Sequence, residues 1–166
     1  MSAASDGLGR GCTFRIRLPR MAVPHRAAAD RATPAGARRR ILVVDDNSDG
    51  ADSLAMLLRL DGHQVEIAYS APETFEAVQR TRPEAVFLDI GLPQMDGYEI
   101  ARRLRADPAI KGVYLIALTG YGQERDRERT REAGFVAHLV KPADIEAVNQ
   151  ILASLRPGAF SGKTPA

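Results

Sequence analysis

The sequence has a single cysteine, no long apolar run and no apolar segment at its start. Cys12 cannot form an internal disulfide, and it cannot build a thiolate metal cluster by itself. No stretch approaches the roughly 20 apolar residues that a membrane helix needs, and the first seven residues lack the apolar core of a secretory signal. We therefore expect a cytoplasmic protein that makes no membrane contact.

Charge is divided unevenly along the 166 residues. Residues 1–40 carry nine arginines against Asp6 and Asp30, a balance of +7, whereas residues 41–166 have a balance of −5. The arginines lie among alanine, proline and glycine, and Phe14 is the only aromatic residue beside them that could stack on a base. We therefore expect no nucleic-acid partner.

A regular apolar pattern begins near residue 41. Two prolines and a glycine interrupt residues 21–39, which predicts a linker. After it, predicted strands at 41–44, 65–69, 85–88, 113–118 and 135–140 alternate with predicted helices at 51–60, 72–79, 98–104, 124–133 and 145–155. This alternation with short connections predicts an α/β fold, a five-stranded parallel sheet that is doubly wound with helices on both faces.

Four of the five predicted strands end in an acid, a hydroxyl or an ammonium group, namely Asp45 and Asp46, Asp89, Thr119, and Lys141. Open parallel sheets bind ligands at the carboxyl ends of their strands, so we expect these groups on one rim. Two like charges about 4 Å apart repel by roughly 4 kcal/mol at an effective dielectric of 20, and one lysine cannot neutralise three carboxylates. Because all the ligands are oxygens, the cluster predicts Mg²⁺ or Mn²⁺ in preference to zinc, and a carboxylate nucleophile beside it suits phosphoryl transfer.

The residues around these positions closely resemble the receiver domain of two-component response regulators. The resemblance rests on residues 41–47, 86–99, 118–119 and 140–142, in the order and spacing of that family. It implies a flavodoxin-like fold with strand order 2-1-3-4-5.

The resemblance also implies a role for each acid. Asp89 would accept a phosphoryl group from the phosphohistidine of a histidine kinase or histidine phosphotransfer protein. Asp46, Asp89 and the backbone carbonyl of Gly91 would hold Mg²⁺, with Asp45 acting through a water molecule. Lys141 would pair with Asp89 and then with a phosphate oxygen.

Thr119 is implied as the switch residue. It would move toward the phosphate and change the face formed by the fourth helix and fifth strand, where a downstream protein or a second copy could dock. His138 stands where the family has an inward-switching aromatic residue, and its planar ring could occupy a similar slot.

Gly91 offers no side chain to an attacking water, whereas Tyr121 could shield the phosphoryl group, so we expect Tyr121→Ala to speed the loss of that group.

Residues 7–19 resemble the closing segment of a histidine-kinase ATP-binding domain, with a glycine-rich turn followed by a strand that ends in Leu-Pro. This suggests a domain remnant at 1–20, a linker at 21–39, a receiver at 40–157 and a tail at 158–166, as in the C-terminal part of a hybrid histidine kinase. No kinase activity is expected from the chain. Because a lone strand cannot bury itself, we expect a disordered N-terminal extension.

Other interpretations of the acids exist. Asp45 and Asp46 could simply cap a helix. An aspartyl-nucleophile phosphohydrolase has similar topology, but it needs an acid two residues after the nucleophile, where this chain has Gly91. A nucleotide- or flavin-binding module would carry a glycine-rich first turn, and few residues follow Lys141 for a DNA-binding domain. The sequence thus predicts a self-phosphorylating and slowly autodephosphorylating switch that is not an enzyme.

Overall fold

The structure is a computed structural model that describes residues 2–4, 7, 13–15, 38–110, 112–120 and 127–156. The chain divides into two compact units, Met1–Ala32 and Thr33–Ala166. In the first unit, β1 (Ser2–Ala4) pairs antiparallel with β2 (Thr13–Arg15). The expectation of a lone strand near residue 13 is therefore wrong. The predictions for Cys12, Tyr121, most of the linker and the tail at 158–166 lie outside the described residues.

The second unit contains five parallel strands: β3 (Arg40–Val44), β4 (Gln64–Ala68), β5 (Ala85–Asp89), β6 (Tyr114–Thr119) and β7 (Ala137–Val140). Their order across the sheet is β4-β3-β5-β6-β7. Counted along this unit, the order is 2-1-3-4-5, which confirms the predicted doubly wound sheet. The register places Val44 beside Leu88, and Asp89 beside Leu118, so the strands end at a common edge.

The helices of this unit are α1 (Ser48–Leu60), α2 (Ala71–Thr81), α3 (Gly97–Ala106), α4 (Arg127–Glu132) and α5 (Ile145–Ser154), with a short 3-10 turn at Pro108–Ile110. Side chains of α1 and α5 pack on one face of the sheet and those of α2 and α3 on the other. None of the helices in the described ranges is long and apolar enough to cross a membrane.

Buried apolar residues hold the central strands in place. All four side chains of residues 41–44 are at most 2% exposed, and burial of each such side chain contributes about 1.5–3 kcal/mol. They alternate between the two faces, with Leu42 and Val44 toward α2 and α3, and Ile41 and Val43 toward α1 and α5. The end of β3, and the residue that follows it, are thereby fixed in position.

Side-chain caps determine where several helices begin. Asn47 caps α1, because its side-chain oxygen accepts from the N–H groups of Asp49 and Gly50 at 3.1 and 3.3 Å, so Asp45 and Asp46 are not the cap. Asp96 caps α3 by accepting from the Tyr98 N–H at 2.8 Å. These bonds satisfy N–H groups that have no partner within the helix.

Two predicted elements differ from the observed ones near the end of the sheet. The helix predicted at 124–133 ends at Glu132, and its predicted residues 124–126 lie outside the described residues. The strand predicted from 135 begins at Ala137. The reason is a turn in which Gly134 adopts φ +90° and the Phe135 N–H donates to the Thr130 carbonyl at 3.0 Å. Phe135 therefore belongs to this turn, although its side chain is buried in the core.

We predict that His63 makes the stability of the fold depend on pH. Its Nδ1 accepts a hydrogen bond from the Arg39 N–H at 3.3 Å. Partial burial lowers the pKa of His63, with the Asp61 charge opposing this effect and the Arg39 charge adding to it. Because the unfolded chain then binds the proton more readily, the free energy of unfolding falls as pH decreases from about 6.5 toward the pKa of the folded state.

His63→Gln tests this prediction, because the amide oxygen can accept the same hydrogen bond but does not titrate. Urea unfolding of both proteins at pH 7.5 and 5.5 should show a smaller loss of stability on acidification in the variant. An equal loss in both proteins would contradict the assignment.

Candidate functional site

Three carboxylates meet at the carboxyl ends of β3 and β5. Asp45 and Asp46 directly follow β3, and Asp89 is the last residue of β5. One oxygen from each carboxylate lies within 4.8 Å of the other two. Asp45 and Asp89 are buried, whereas Asp46 is exposed. The structure therefore brings together the acids that the sequence places on one rim.

Lys141 joins two of these acids. Its Nζ lies 2.6 Å from Asp45 Oδ2 and 2.7 Å from Asp89 Oδ2. Burial acts to lower the pKa of Lys141, but the hydrogen bonds and charges of Asp45 and Asp89 outweigh it and raise the pKa above its ordinary value. The ammonium is thus charged at neutral pH. One positive charge against three carboxylates leaves a formal charge of −2.

The other oxygens of Asp45 and Asp89 are held by the backbone in the same manner. Asp45 Oδ1 accepts from the Asn47 N–H at 3.0 Å, and Asp89 Oδ1 accepts from the Gly91 N–H at 2.9 Å. Each carboxylate therefore contacts Lys141 through one oxygen and an amide two residues later through the other. This arrangement fixes the orientation of both groups.

Thr119 ends β6 and is buried, but its hydroxyl is directed to β7. Its Oγ1 donates to the Leu139 carbonyl at 3.2 Å, while the Lys141 N–H donates to the Thr119 carbonyl at 2.7 Å. Thr119 and Lys141 thus lie on adjacent strand ends. His138 lies beside Ala117 in the sheet and is exposed, so in this structure it does not occupy the inward slot considered above.

Gly97 contributes to the site in a way that sequence reasoning missed. A Cβ at this position would lie 2.5 Å from the Asp89 carbonyl oxygen and 2.7 Å from the Ile90 Cα. Only glycine allows α3 to begin this close to the end of β5. The segment Met95-Asp96-Gly97 predicts a turn and a cap, but sequence alone does not reveal the contact with Asp89.

Comparison with known proteins assigns the family. A family model described as response regulator receiver domain matches residues 41–153. The chain belongs to this family. The receiver is 39% identical over 118 residues to the transcriptional regulatory protein PrrA of Mycobacterium leprae. The aligned residues make up 70% of this chain and 50% of that protein. It is 36% identical over 127 residues to an uncharacterized 14.6 kDa protein in the sodA1 3′ region of Leptolyngbya boryana. Here the aligned residues make up 74% of this chain and 97% of that protein.

Solved structures share the fold of the receiver. The signal receiver domain of a signal transduction histidine kinase from Syntrophus aciditrophicus has a TM-score of 0.67 at 27% identity, covering 77% of this chain and 97% of that chain. A CheY-like response regulator receiver domain protein from Methanospirillum hungatei has a TM-score of 0.60 at 30% identity, covering 70% and 94%. The family accounts for the sheet order, and it places the chain in two-component signalling.

We predict that Gly97→Ala destabilises the receiver, because the added methyl group meets backbone atoms that cannot rotate away. The free energy of unfolding should fall by about 1–3 kcal/mol. The matched control is Gly120→Ala, since a Cβ at Gly120 meets no atom of the described residues within 4 Å; this change should alter stability by less than about 0.5 kcal/mol. Urea denaturation of both variants measures the difference. Equal free energies of unfolding for the two variants would show that the close approach to Asp89 does not restrict position 97 to glycine.

Proposed function

We propose that this receiver accepts a phosphoryl group on Asp89 in a two-component phosphorelay. The observation that carries the proposal is a buried carboxylate at a strand end, flanked by Asp45 and Asp46 and bound by Lys141. The donor would be a phosphohistidine of a histidine kinase or histidine phosphotransfer protein. A carboxylate oxygen of Asp89 forms a P–O bond as the P–N bond breaks, and the released imidazole keeps the electron pair and takes up a proton from solvent.

Mg²⁺ fits the residues present. The donor set contains only oxygen atoms, and its formal charge of −2 matches a divalent cation. Asp46, Asp89 and the Gly91 carbonyl would hold the ion directly, with Asp45 acting through a water molecule. When bound, the ion neutralises charge on the transferring group.

The chain's own residues would orient the group and respond to it. Lys141 would move its contact from the Asp89 carboxylate to a phosphate oxygen. The Thr119 hydroxyl would leave the Leu139 carbonyl and turn toward the phosphate. These exchanges favour a second conformation of the switch face, which we define as α4 together with β7, and phosphorylation shifts the population toward it.

The switch face is the proposed contact for a downstream protein or a second copy of the chain. Within β7, Val140 is 43% exposed and His138 is exposed as well, and Val136, the residue before β7, is 51% exposed. Because β7 is an edge strand of the sheet, a partner can reach it. We propose no nucleic-acid partner.

We also propose that the receiver derives from a hybrid histidine kinase, with the boundaries 1–20, 21–39, 40–157 and 158–166 given above. The resemblance of residues 7–19 to the end of a kinase ATP-binding domain supports this origin. So does the structural likeness to the signal receiver domain of a signal transduction histidine kinase.

A phosphohydrolase is not favoured by the site. Such an enzyme needs an acid that can protonate the leaving group. Position 91 is close enough, since a Cβ there would lie 3.6 Å from Asp89 Oδ1, but it carries glycine. Receiver domains are not typical catalytic enzymes, and we propose that this one acts as a switch.

Asp89→Asn tests the acceptor. In the presence of Mg²⁺ and phosphoramidate, a small donor with a P–N bond, the unchanged protein should gain one phosphoryl group by intact mass and Asp89→Asn none. Asp96→Asn is the control, because asparagine caps a helix about as well as aspartate. Equal phosphorylation of Asp89→Asn would refute the acceptor assignment.

Asp46→Asn tests the metal ligands. We expect its Mg²⁺ affinity, measured by isothermal titration calorimetry, to be about tenfold weaker or more. Asp49→Asn removes a nearby exposed charge in the first turn of α1 that is not part of the three-acid cluster, and it should retain the affinity within about twofold. If both variants lose affinity equally, Asp46 acts only through its general charge.

A further inference from the structure

Tyr98 follows directly on the glycine that touches the acceptor. Gly97 lies against the Asp89 carbonyl, and its N–H donates to the Ile90 carbonyl at 3.1 Å. Tyr98 is only 2% exposed, and its N–H is held by Asp96 at 2.8 Å. The backbone of Asp89 and the side chain of Tyr98 are therefore separated by one tightly packed residue.

The Tyr98 ring reaches α4 and the turn that follows it. The guanidinium carbon of Arg129 in α4 lies 4.8 Å from the ring centroid. The Phe135 ring packs edge-on against it, with centroids 6.1 Å apart and an interplanar angle of 86°. Both contacts are attractive arrangements for an aromatic ring. Tyr98 thus links the first turn of α3 to α4.

A second contact joins α3 to the same turn. Arg105, near the end of α3, donates to the Gly134 carbonyl at 2.7 Å and to the Val113 carbonyl at 2.8 Å. A Cβ at Gly134 would lie only 2.9 Å from Arg105 Nε. The start of α3 thus contacts α4, and the end of α3 contacts the turn after α4. Because close-packed side chains transmit displacements, a movement at the start of α3 also moves α4.

We propose that Tyr98 is a positioning residue that couples Asp89 to α4 through its ring contact with Arg129. The inference rests on the proposed function, since it concerns how phosphorylation of Asp89 is transmitted. His138 is exposed in this structure, so the route through α3 does not depend on an inward ring beside Thr119.

The route follows from the contacts. Phosphorylation changes the acceptors available to the Gly91 N–H and to Lys141, which both contact Asp89. A shift of the Asp89 carbonyl toward α3 would displace Gly97, because the space between them does not admit even a Cβ. Tyr98 carries the shift to Arg129. Coupling of this kind is reciprocal for binding free energies, so a change at Arg129 must also alter ligand binding at the acid cluster.

The test uses the full chain and two pairs of variants, the first at the exposed Arg129 and the second at the buried Tyr98. Arg129→Met removes the charge and keeps much of the side-chain length, whereas Arg129→Lys keeps a cation over the ring. Tyr98→Phe and Tyr98→Leu form a second pair, in which only phenylalanine preserves an aromatic ring. Intact mass measures phosphorylation by phosphoramidate, NMR amide shifts of residues 127–132 measure the response of α4, and calorimetry measures Mg²⁺ affinity.

We expect Arg129→Met to become phosphorylated but to show an α4 response at least twofold smaller than that of the unchanged protein. Its Mg²⁺ affinity should change by about two- to fivefold, which is the factor that corresponds to one exposed cation–ring contact. Arg129→Lys, which keeps a cation, and Tyr98→Phe, which keeps a ring, should each give a larger α4 response than Arg129→Met and Tyr98→Leu respectively. An undiminished α4 response and unchanged Mg²⁺ affinity in phosphorylated Arg129→Met would overturn the coupling. Failure of the unchanged protein to become phosphorylated would instead overturn the proposed function.

Discussion

The Lys141 ammonium lies between Asp45 and Asp89, within 2.7 Å of an oxygen of each. These three residues come from the ends of β3, β5 and β7, so the contact requires the register of strands across the sheet. Buried side chains on both faces provide that register, because β3 and β5 are covered by helices on each side. The packing of the core therefore determines the distances at the rim.

The ammonium only partly neutralises the rim. Asp46 remains exposed beside two buried carboxylates, and three acids within 4.8 Å retain a formal excess of two negative charges. Bringing like charges this close costs several kcal/mol unless a cation accompanies them. A divalent ion would resolve the repulsion, and in the proposed function it would also prepare the site for a phosphoryl group, which the acids alone would repel. Repulsion among the three acids thus lowers the stability of the fold, whereas the proposed function requires the same three acids to lie close together.

The sequence allowed the sheet, and the grouping of three acids with Lys141, to be predicted because both follow from local patterns. Continuous apolar runs mark the buried strands, and the residues after them must lie at one edge. The contacts that could not be predicted are tertiary. The approach of Gly97 to Asp89, the Thr119 hydroxyl on the Leu139 carbonyl and the exposure of His138 each depend on how a distant element packs. Pairing of β1 with β2 was missed because a three-residue strand has almost no pattern.

The central claim is that the three acids share one divalent cation. Substoichiometric Mn²⁺, which substitutes for Mg²⁺ at oxygen sites, broadens the NMR signals of nuclei close to it. We expect the amides of residues 45, 46, 89 and 91 to broaden first, and excess Mg²⁺ to restore their signals. Broadening that starts at other acids, such as Asp49 or Glu73, or that spreads evenly over the surface, would contradict it.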